Sequence, residues 1–374
     1  MVEIREVTTK RQRRRFVTYP NKLYKGVEQY VPNFYSDDLA DWGPKNPALA
    51  YCEAKAFLAY NEEGKIVGRI GAIISHAANE KWGTSRMRFS QVDFIDDPEV
   101  SKALFDKVEE WAKEKGCTEV HGPLGFTDLD REGMLIDGYD IRSCFFTYYN
   151  YPYYNDHLEK LGYQKDVDWV EHRLDVDTAK EGYEYYKKIA DFVLKHNNLH
   201  LVEVKKQKEY VDYVAKVFEL VNLCYKDLYS TVELSEEQIE KYADKFAPLI
   251  DPDFACFVVN DKEELIAFGV LASSMEEALK KSHGRLFPLG WIGILRSLKK
   301  ATSLDMLLVA VHPDYQKKGV NAILIEHAIR NALKRGVVFA ETGPQLENND
   351  MVQAQWKAMG PYVHKRRRCY IKKI

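Results

Sequence analysis

A chain of 374 residues, 45% hydrophobic and 13% aromatic, can bury more than one core, and chains of this length usually divide into two domains. Its net charge of −3 excludes a generally basic, nucleic-acid-coating surface, so no nucleic-acid partner is expected. Six scattered cysteines without a Cys-x-x-Cys pair indicate neither a disulfide framework nor a metal site, and neither a signal peptide nor a bilayer-length apolar run is evident, so a reduced, cytoplasmic protein is expected.

In chain order, Met1 to Val7 alternates as a short strand and leads into a helical stretch bearing the basic run Lys10 to Arg15. Ala56 to Tyr60 and Ile66 to Ile74 flank the polar turn Asn61-Glu62-Glu63-Gly64 and read as a hairpin. A strand ends at Ile95-Asp96-Asp97-Pro98, an amphipathic helix follows and stops at Gly116, and a further strand runs to Gly122-Pro123. After the aromatic and charged segment Leu124 to Asn150, a helix meets Gly162 and the strand Asp168 to Leu174 follows. Thr178 to Asn197 then reads as a single bridging helix.

The second half repeats the series. Leu199 to Val204 is a short strand; Ala255 to Val259 and Leu265 to Leu271 flank the turn Asn260-Asp261-Lys262-Glu263. A strand ends at Val311-His312-Pro313, a helix stops at Gly336, a strand runs to Gly343-Pro344, and a helix meets Gly360 before the strand His364 to Ile371. Leu104 and Gly116 are 12 residues apart, as are Leu324 and Gly336. Such repetition predicts two α/β domains, residues 1–175 and 176–374.

The chemistry concentrates after the apolar strand Leu304 to Val311. Pro313 marks a turn, and Gln316-Lys317-Lys318-Gly319-Val320-Asn321 runs into a helix over Ala322 to Arg335. Free backbone N–H groups at a helix N-terminus, with two lysines, make an anion site suited to a diphosphate. A basic surface turn is the other reading.

This segment resembles the acetyl-CoA motif of the GNAT superfamily, a loop of the form Gln/Arg-x-x-Gly-x-Gly/Ala after a strand ending in Val-x-Pro. Gln316, Gly319 and Val311-His312-Pro313 match it, while Asn321 stands where Gly or Ala is usual, a position at which asparagine tolerates left-handed backbone. The resemblance implies two tandem domains, each a mixed, mostly antiparallel twisted sheet flanked by helices. It also implies acetyl-CoA or another acyl-CoA as co-substrate, a small-molecule or peptide amine as acceptor, and no metal. Val309, Ala310 and Val311 would line the pantetheine arm; Gln316, Lys317, Lys318, Gly319, Val320 and Asn321 would hold the diphosphate; Asn348 or Asn349 would contact the cofactor. Glu341 becomes the candidate base, with a structural carboxylate as the other reading. The family tyrosine four residues before the last glycine is replaced by Trp356, leaving Tyr362 as a substitute acid by sequence proximity. A catalytically weak acyl-CoA-binding scaffold or sensor, carrying a lipid or long-chain acyl ligand, is the alternative.

The first half lacks the five residues of the loop: Pro98 to Ala103 is five steps where Pro313 to Ile323 is ten. Asp97 and Glu99 stand there and would repel a diphosphate. Gly122-Pro123, Leu135-Ile136-Asp137-Gly138-Tyr139-Asp140 and Tyr151-Pro152-Tyr153-Tyr154 resemble a bacterial group of tandem GNAT proteins. Leu124 to Asn150 reads as a wall of the acceptor site or an interdomain packing insertion. Lys10 to Arg15 and Lys365 to Arg368 are solvated faces or anion sites. Arg285 to Lys300, apolar with basic flanks, reads as a lid, a membrane contact or an acyl-chain cover.

Overall fold

Apolar alternation becomes strands, and the glycines and prolines mark their ends, in a computed structural model that describes residues 2–202, 204, 209, 211–300 and 302–374. Met1 and Glu203, at the edges of two expected strands, lie outside the described residues. The first half contains β1 (Glu3–Glu6), α1 (Lys10–Leu23), α2 (Tyr35–Asp41), β2 (Cys52–Tyr60), β3 (Ile66–Ser75), α3 (His76–Trp82), β4 (Arg86–Phe94), α4 (Pro98–Glu114), β5 (Glu119–Gly122), β6 (Met134–Asp137), α5 (Tyr153–Lys160) and β7 (Gln164–Asp175). The second contains α6 (Val176–Glu181), α7 (Tyr183–His196), β8 (Leu199–Val202), α8 (Val211–Tyr225), α9 (Glu236–Phe246), β9 (Ile250–Asn260), β10 (Leu265–Ser273), α10 (Glu276–Ser282), α11 (Gly290–Lys299), β11 (Ser303–Val311), α12 (Asn321–Arg335), β12 (Phe339–Thr342), β13 (Gln345–Leu346), α13 (Asp350–Ala354) and β14 (Tyr362–Lys373).

These elements form two compact units. One comprises residues up to Val170 with Glu276–Gly293 and Lys365–Ile374; the other comprises Glu171–Met275 and Ile294–His364. In the first unit the strand order is β1-β2-β3-β4-β5-β14, with β6 also on β14. β4 and β5 are parallel, and the other pairs are antiparallel. Alternate residues point to one face, where Phe89, Phe94 and Val120 meet Leu104, Phe105 and Trp111 of α4, and Tyr370 of β14 belongs to the same core. Segment 124–150 is built into this unit. Met134, Leu135, Cys144 and Phe145 are buried, Asp130 accepts hydrogen bonds from the Phe126 and Thr127 amides, and Arg131 pairs with buried Asp38 at 2.7 Å.

The basic run Lys365 to Arg368 is likewise internal. Lys365 Nζ donates to Arg142 O, Arg367 donates to Tyr148 O at 2.6 Å, and Arg368 binds both Asp168 oxygens at 2.8 and 3.0 Å. Burial acts to raise the Asp168 carboxyl, but Arg368 and Lys165 outweigh it and hold it below its ordinary range. A charge run therefore reads here as strand, because distant carbonyls and a carboxylate satisfy it.

In the second unit the strand order is β7-β12-β11-β10-β9-β8. Only β11 and β12 are parallel among these pairs. Successive residues of β9 serve opposite faces: Phe257 and Val259 pack with Val217 and Val221 of α8, while Cys256 and Val258 pack with Val193 of α7 and Ile323 of α12. The mixed, mostly antiparallel sheet with flanking helices is the expected architecture. The single helix expected over Thr178 to Asn197 is divided at Gly182, the residue with least helix propensity in the stretch. Among the described residues no helix is long and apolar enough to cross a membrane.

Candidate functional site

Strand β11 pairs with β12 only from Ser303↔Phe339 to Met306↔Thr342, whereas β10 follows it on to Val311. Beyond Met306 its other edge leaves its parallel neighbour, and Leu307 to Val309 are half-buried. His312 N–H bonds to Ile266 O of the hairpin side, so by the strand's two-residue repeat the backbone groups of Val309 and Val311 face the opening. Their carbonyls are taken: Tyr225 Oη donates to Val309 O at 2.9 Å, and Gln316 Nε2 donates to Val311 O at 3.0 Å. Their N–H groups lie on the same edge. Ala310 points into the core with Phe268.

The strand ends in a one-turn 3-10 helix, Pro313–Tyr315. Gln316 is extended, Lys317 (φ 60°) and Gly319 (φ 79°) are left-handed, and Val320 returns to the helical region before α12. The left-handed Gly319 followed by helical Val320 turns successive N–H groups toward one point, a backbone geometry suited to an anion. No side chain caps α12, and the first bonded amides of the junction are Ala322 and Ile323, to Gly319 O and Val320 O. Gly319 is also closely packed, since a Cβ there would come 3.2 Å from Val193 Cγ2. Lys317 and Lys318 are exposed, with Lys318 Nζ 5.1 Å from the Tyr315 ring centre. Asn321 needs no left-handed tolerance: it is the first residue of α12, and the turn uses Lys317 and Gly319 for positive φ.

Glu341 sits on β12 one residue before the strands part, buried, with Asp305 and Arg173 as its register partners on β11 and β7. Its Oε1 is 3.9 Å from Nδ1 of buried His364, and the Tyr362 ring stands 6.3 Å from the His364 ring. Glu341 and Tyr362 thus share the neighbourhood of His364, with Tyr362 half exposed to solvent. Asn348 is exposed in the loop after β13, while Asn349 caps α13 by accepting from Val352 N–H at 3.3 Å. Trp356 is buried, and its Nε1 donates to Gln345 at 3.2 Å. Its place is taken up by packing.

Sequence reasoning missed Asp305, His364 and Tyr225. Asp305 carried a signal, a carboxylate inside an apolar strand; the other two reach the site only through tertiary packing.

The corresponding places in the first unit are filled. Asp97 caps α4 by accepting from Glu99 N–H, and where β4 and β5 part, Leu124 N–H bonds to Phe89 O while Arg88 donates to Gly125 O and Phe126 O. A cavity lined by Tyr24, Tyr30, Asp38, Arg69, Asp93 and Arg131 pairs its own charges, Arg69 with Asp93 at 2.6 Å and Arg131 with Asp38. His121, Asp166 and Cys369 present ligand-type atoms within 4.8 Å of one another. Arg86 already holds Asp166, and burial together with Arg88 and Arg86 pushes the His121 imidazole well below its ordinary range.

Residues 214–352 match the acetyltransferase (GNAT) family. This match lies within the second half, and the chain has the tandem GNAT fold. The chain is 28% identical over 380 residues to Protein YghO of Escherichia coli (strain K12), covering 99% of this chain and 95% of that one. It is 25% identical over 299 residues to the bacterial ceramide synthase of Caulobacter vibrioides (strain NA1000 / CB15N), covering 78% and 75%. A tandem GNAT protein from the clavulanic acid biosynthesis pathway superposes with a TM-score of 0.57 at 12% identity over 100% of this chain and 98% of that one. A GCN5-related N-acetyltransferase from Sphaerobacter thermophilus gives 0.52 at 10% identity, covering 100% and 95%.

Proposed function

We propose that this protein is an acyl-CoA-dependent N-acyltransferase whose second unit holds the acyl-CoA, acetyl-CoA being the simplest donor. The observation that carries this reading is the parting of β11 from β12 after Met306, which leads directly into the uncapped nest at α12. Val309 and Val311 would pair with the pantetheine arm through the N–H groups on the open edge, with Ala310 between them lining the strand. Gln316 to Asn321 would enclose the diphosphate, with Lys317 and Lys318 supplying charge, and Asn348 would meet the cofactor from the loop after β13. An amine nitrogen attacks the thioester carbonyl, and Glu341 takes its proton directly or through water. N–H groups at the parting strands stabilise the oxyanion, the C–S bond breaks, and the thiolate leaves with a proton supplied by Tyr362 or solvent.

The relative named a ceramide synthase brings long-chain amines into consideration as acceptors alongside small-molecule and peptide amines. Trp356, packed where the family places an acid, favours a second reading: an acyl-CoA-binding scaffold with weak turnover. Calorimetry with acetyl- and long-chain acyl-CoA, followed by thiol release across an amine panel, separates the two. Binding with amine-dependent thiol release is the expected result. Binding without release leaves the scaffold, and no binding of any acyl-CoA overturns both.

A further inference from the structure

From Ala278 to Leu304 the sequence contains six lysines and arginines and no aspartate or glutamate, in a chain whose net charge is −3. Phe287 and Leu289, the most exposed large apolar side chains among the described residues, stand within it at 80% and 68% exposure, and Trp291 and Leu295 follow at 44% and 48%. These side chains are not stranded by an unpacked helix. Helix α11 is seated through buried Ile294 and through Gly293, where a Cβ would come 3.2 Å from Ala278 Cβ of α10. Trp291 and Leu295, one turn apart, occupy the same outward face.

The preceding turn is fixed as well. Tyr35 N–H bonds to Gly284 O at 2.8 Å, the Arg285 guanidinium lies 4.7 Å from the Tyr35 ring centre, and Trp291 Nε1 donates to Pro288 O at 3.1 Å. An anchored turn therefore holds Phe287, Pro288 and Leu289 out in solvent. Arg285, Arg296, Lys299 and Lys300 flank it, exposed and without an ion-pair partner among the described residues.

Apolar side chains held outward beside cations, with no acid among them, match the boundary of an anionic bilayer. The tip finds acyl chains there and the cations find phosphates, and tryptophan favours that depth. We propose that residues 285–300 dock this protein on an anionic phospholipid membrane. Phe287, Leu289, Trp291 and Leu295 enter the headgroup–acyl boundary, while Arg285, Arg296, Lys299 and Lys300 meet lipid phosphates. Nothing in this depends on acyl transfer.

Co-sedimentation of the full chain with phosphatidylcholine vesicles, and with vesicles that also contain phosphatidylglycerol, tests the proposal. Each cation near such a surface contributes about fivefold in partitioning. Binding is expected only to the anionic vesicles, weakening at high salt. It should fall at least about tenfold in a variant combining Arg296→Glu and Lys299→Glu, and comparably in one combining Phe287→Ser and Leu289→Ser. Both pairs are exposed, so both variants should melt with the parent. Equal binding to neutral vesicles, no vesicle binding, or variants that bind like the parent would overturn the proposal. So would a lipid-free dimer that Phe287→Ser with Leu289→Ser abolishes, which would assign the tip to self-association. If the tip variant lost affinity for long-chain acyl-CoA while still sedimenting with vesicles, the segment would be an acyl-chain cover instead.

Discussion

Replacing Gly319 with aspartate, with alanine as the control, is expected to abolish coenzyme A binding through charge rather than through distortion. Gly319 has φ +79°, and a Cβ added there meets Val193 Cγ2 at 3.2 Å and Ile189 Cγ2 at 3.4 Å. Both replacements therefore carry left-handed strain of about 1–2 kcal/mol and displace the same α7 side chains slightly. Only aspartate adds a charge. With its carboxylate about 5 Å from a bound diphosphate and an effective dielectric near 20, repulsion is about 3 kcal/mol for each phosphate charge. One such charge alone weakens Kd by about a hundredfold. Calorimetric titration of coenzyme A into the parent and both variants measures this, with melting curves confirming that the two variants are equally folded. Equal affinity of Gly319→Asp and Gly319→Ala would refute the assignment of the diphosphate to this loop.

Glu341→Gln is expected to lower kcat by about 10²- to 10⁴-fold while leaving acyl-CoA affinity intact; unchanged turnover would remove Glu341 as the base. Burial pushes the His327 imidazole on α12 down to about 4, below its ordinary 6.5. The neutral form is thus favoured by folding, and this stability is complete above pH 6.5 and lost as pH falls toward 4. His327→Gln should flatten that acid limb by up to about 3 kcal/mol in urea melts, and an unchanged pH profile would contradict it. Trp356→Ala should cost about 3–5 kcal/mol, because the indole packs against Leu174, Ile325 and Met359; a loss below about 1 kcal/mol would show that the residue is not structural.

The hairpins were legible because their signals are local: apolar alternation around a polar turn fixes both strands and register. Gly116 and Gly336 could be read as helix ends for the same reason, and both adopt left-handed backbone there. The Gln316 to Asn321 loop stood out through its spacing relative to the first half. By contrast, Lys365 to Arg368 looked like solvated charge. Arg368 meets Asp168 across 200 residues and Arg367 meets Tyr148 across 219, separations at which local patterns carry nothing. The same holds for Tyr225 at Val309 and His364 at Glu341, two neighbours that only the packed sheet brings together.

The use of Lys365–Ile374 in the first unit sets an order of events at the ribosome. Val170 and Lys365 are 365 − 170 = 195 residues apart. At roughly 5–20 residues per second the second follows the first by about 10–40 s. Through that interval the edge of β5 that β14 will occupy is unpaired, and the seat of Tyr370 in the core is empty. Domains usually mature in the order they are translated, but here the earlier unit must wait for the later one. The nascent first half is therefore the stage at which the protein is most open to aggregation and to capture by chaperones, and a fragment of residues 1–175 expressed alone would remain at that stage.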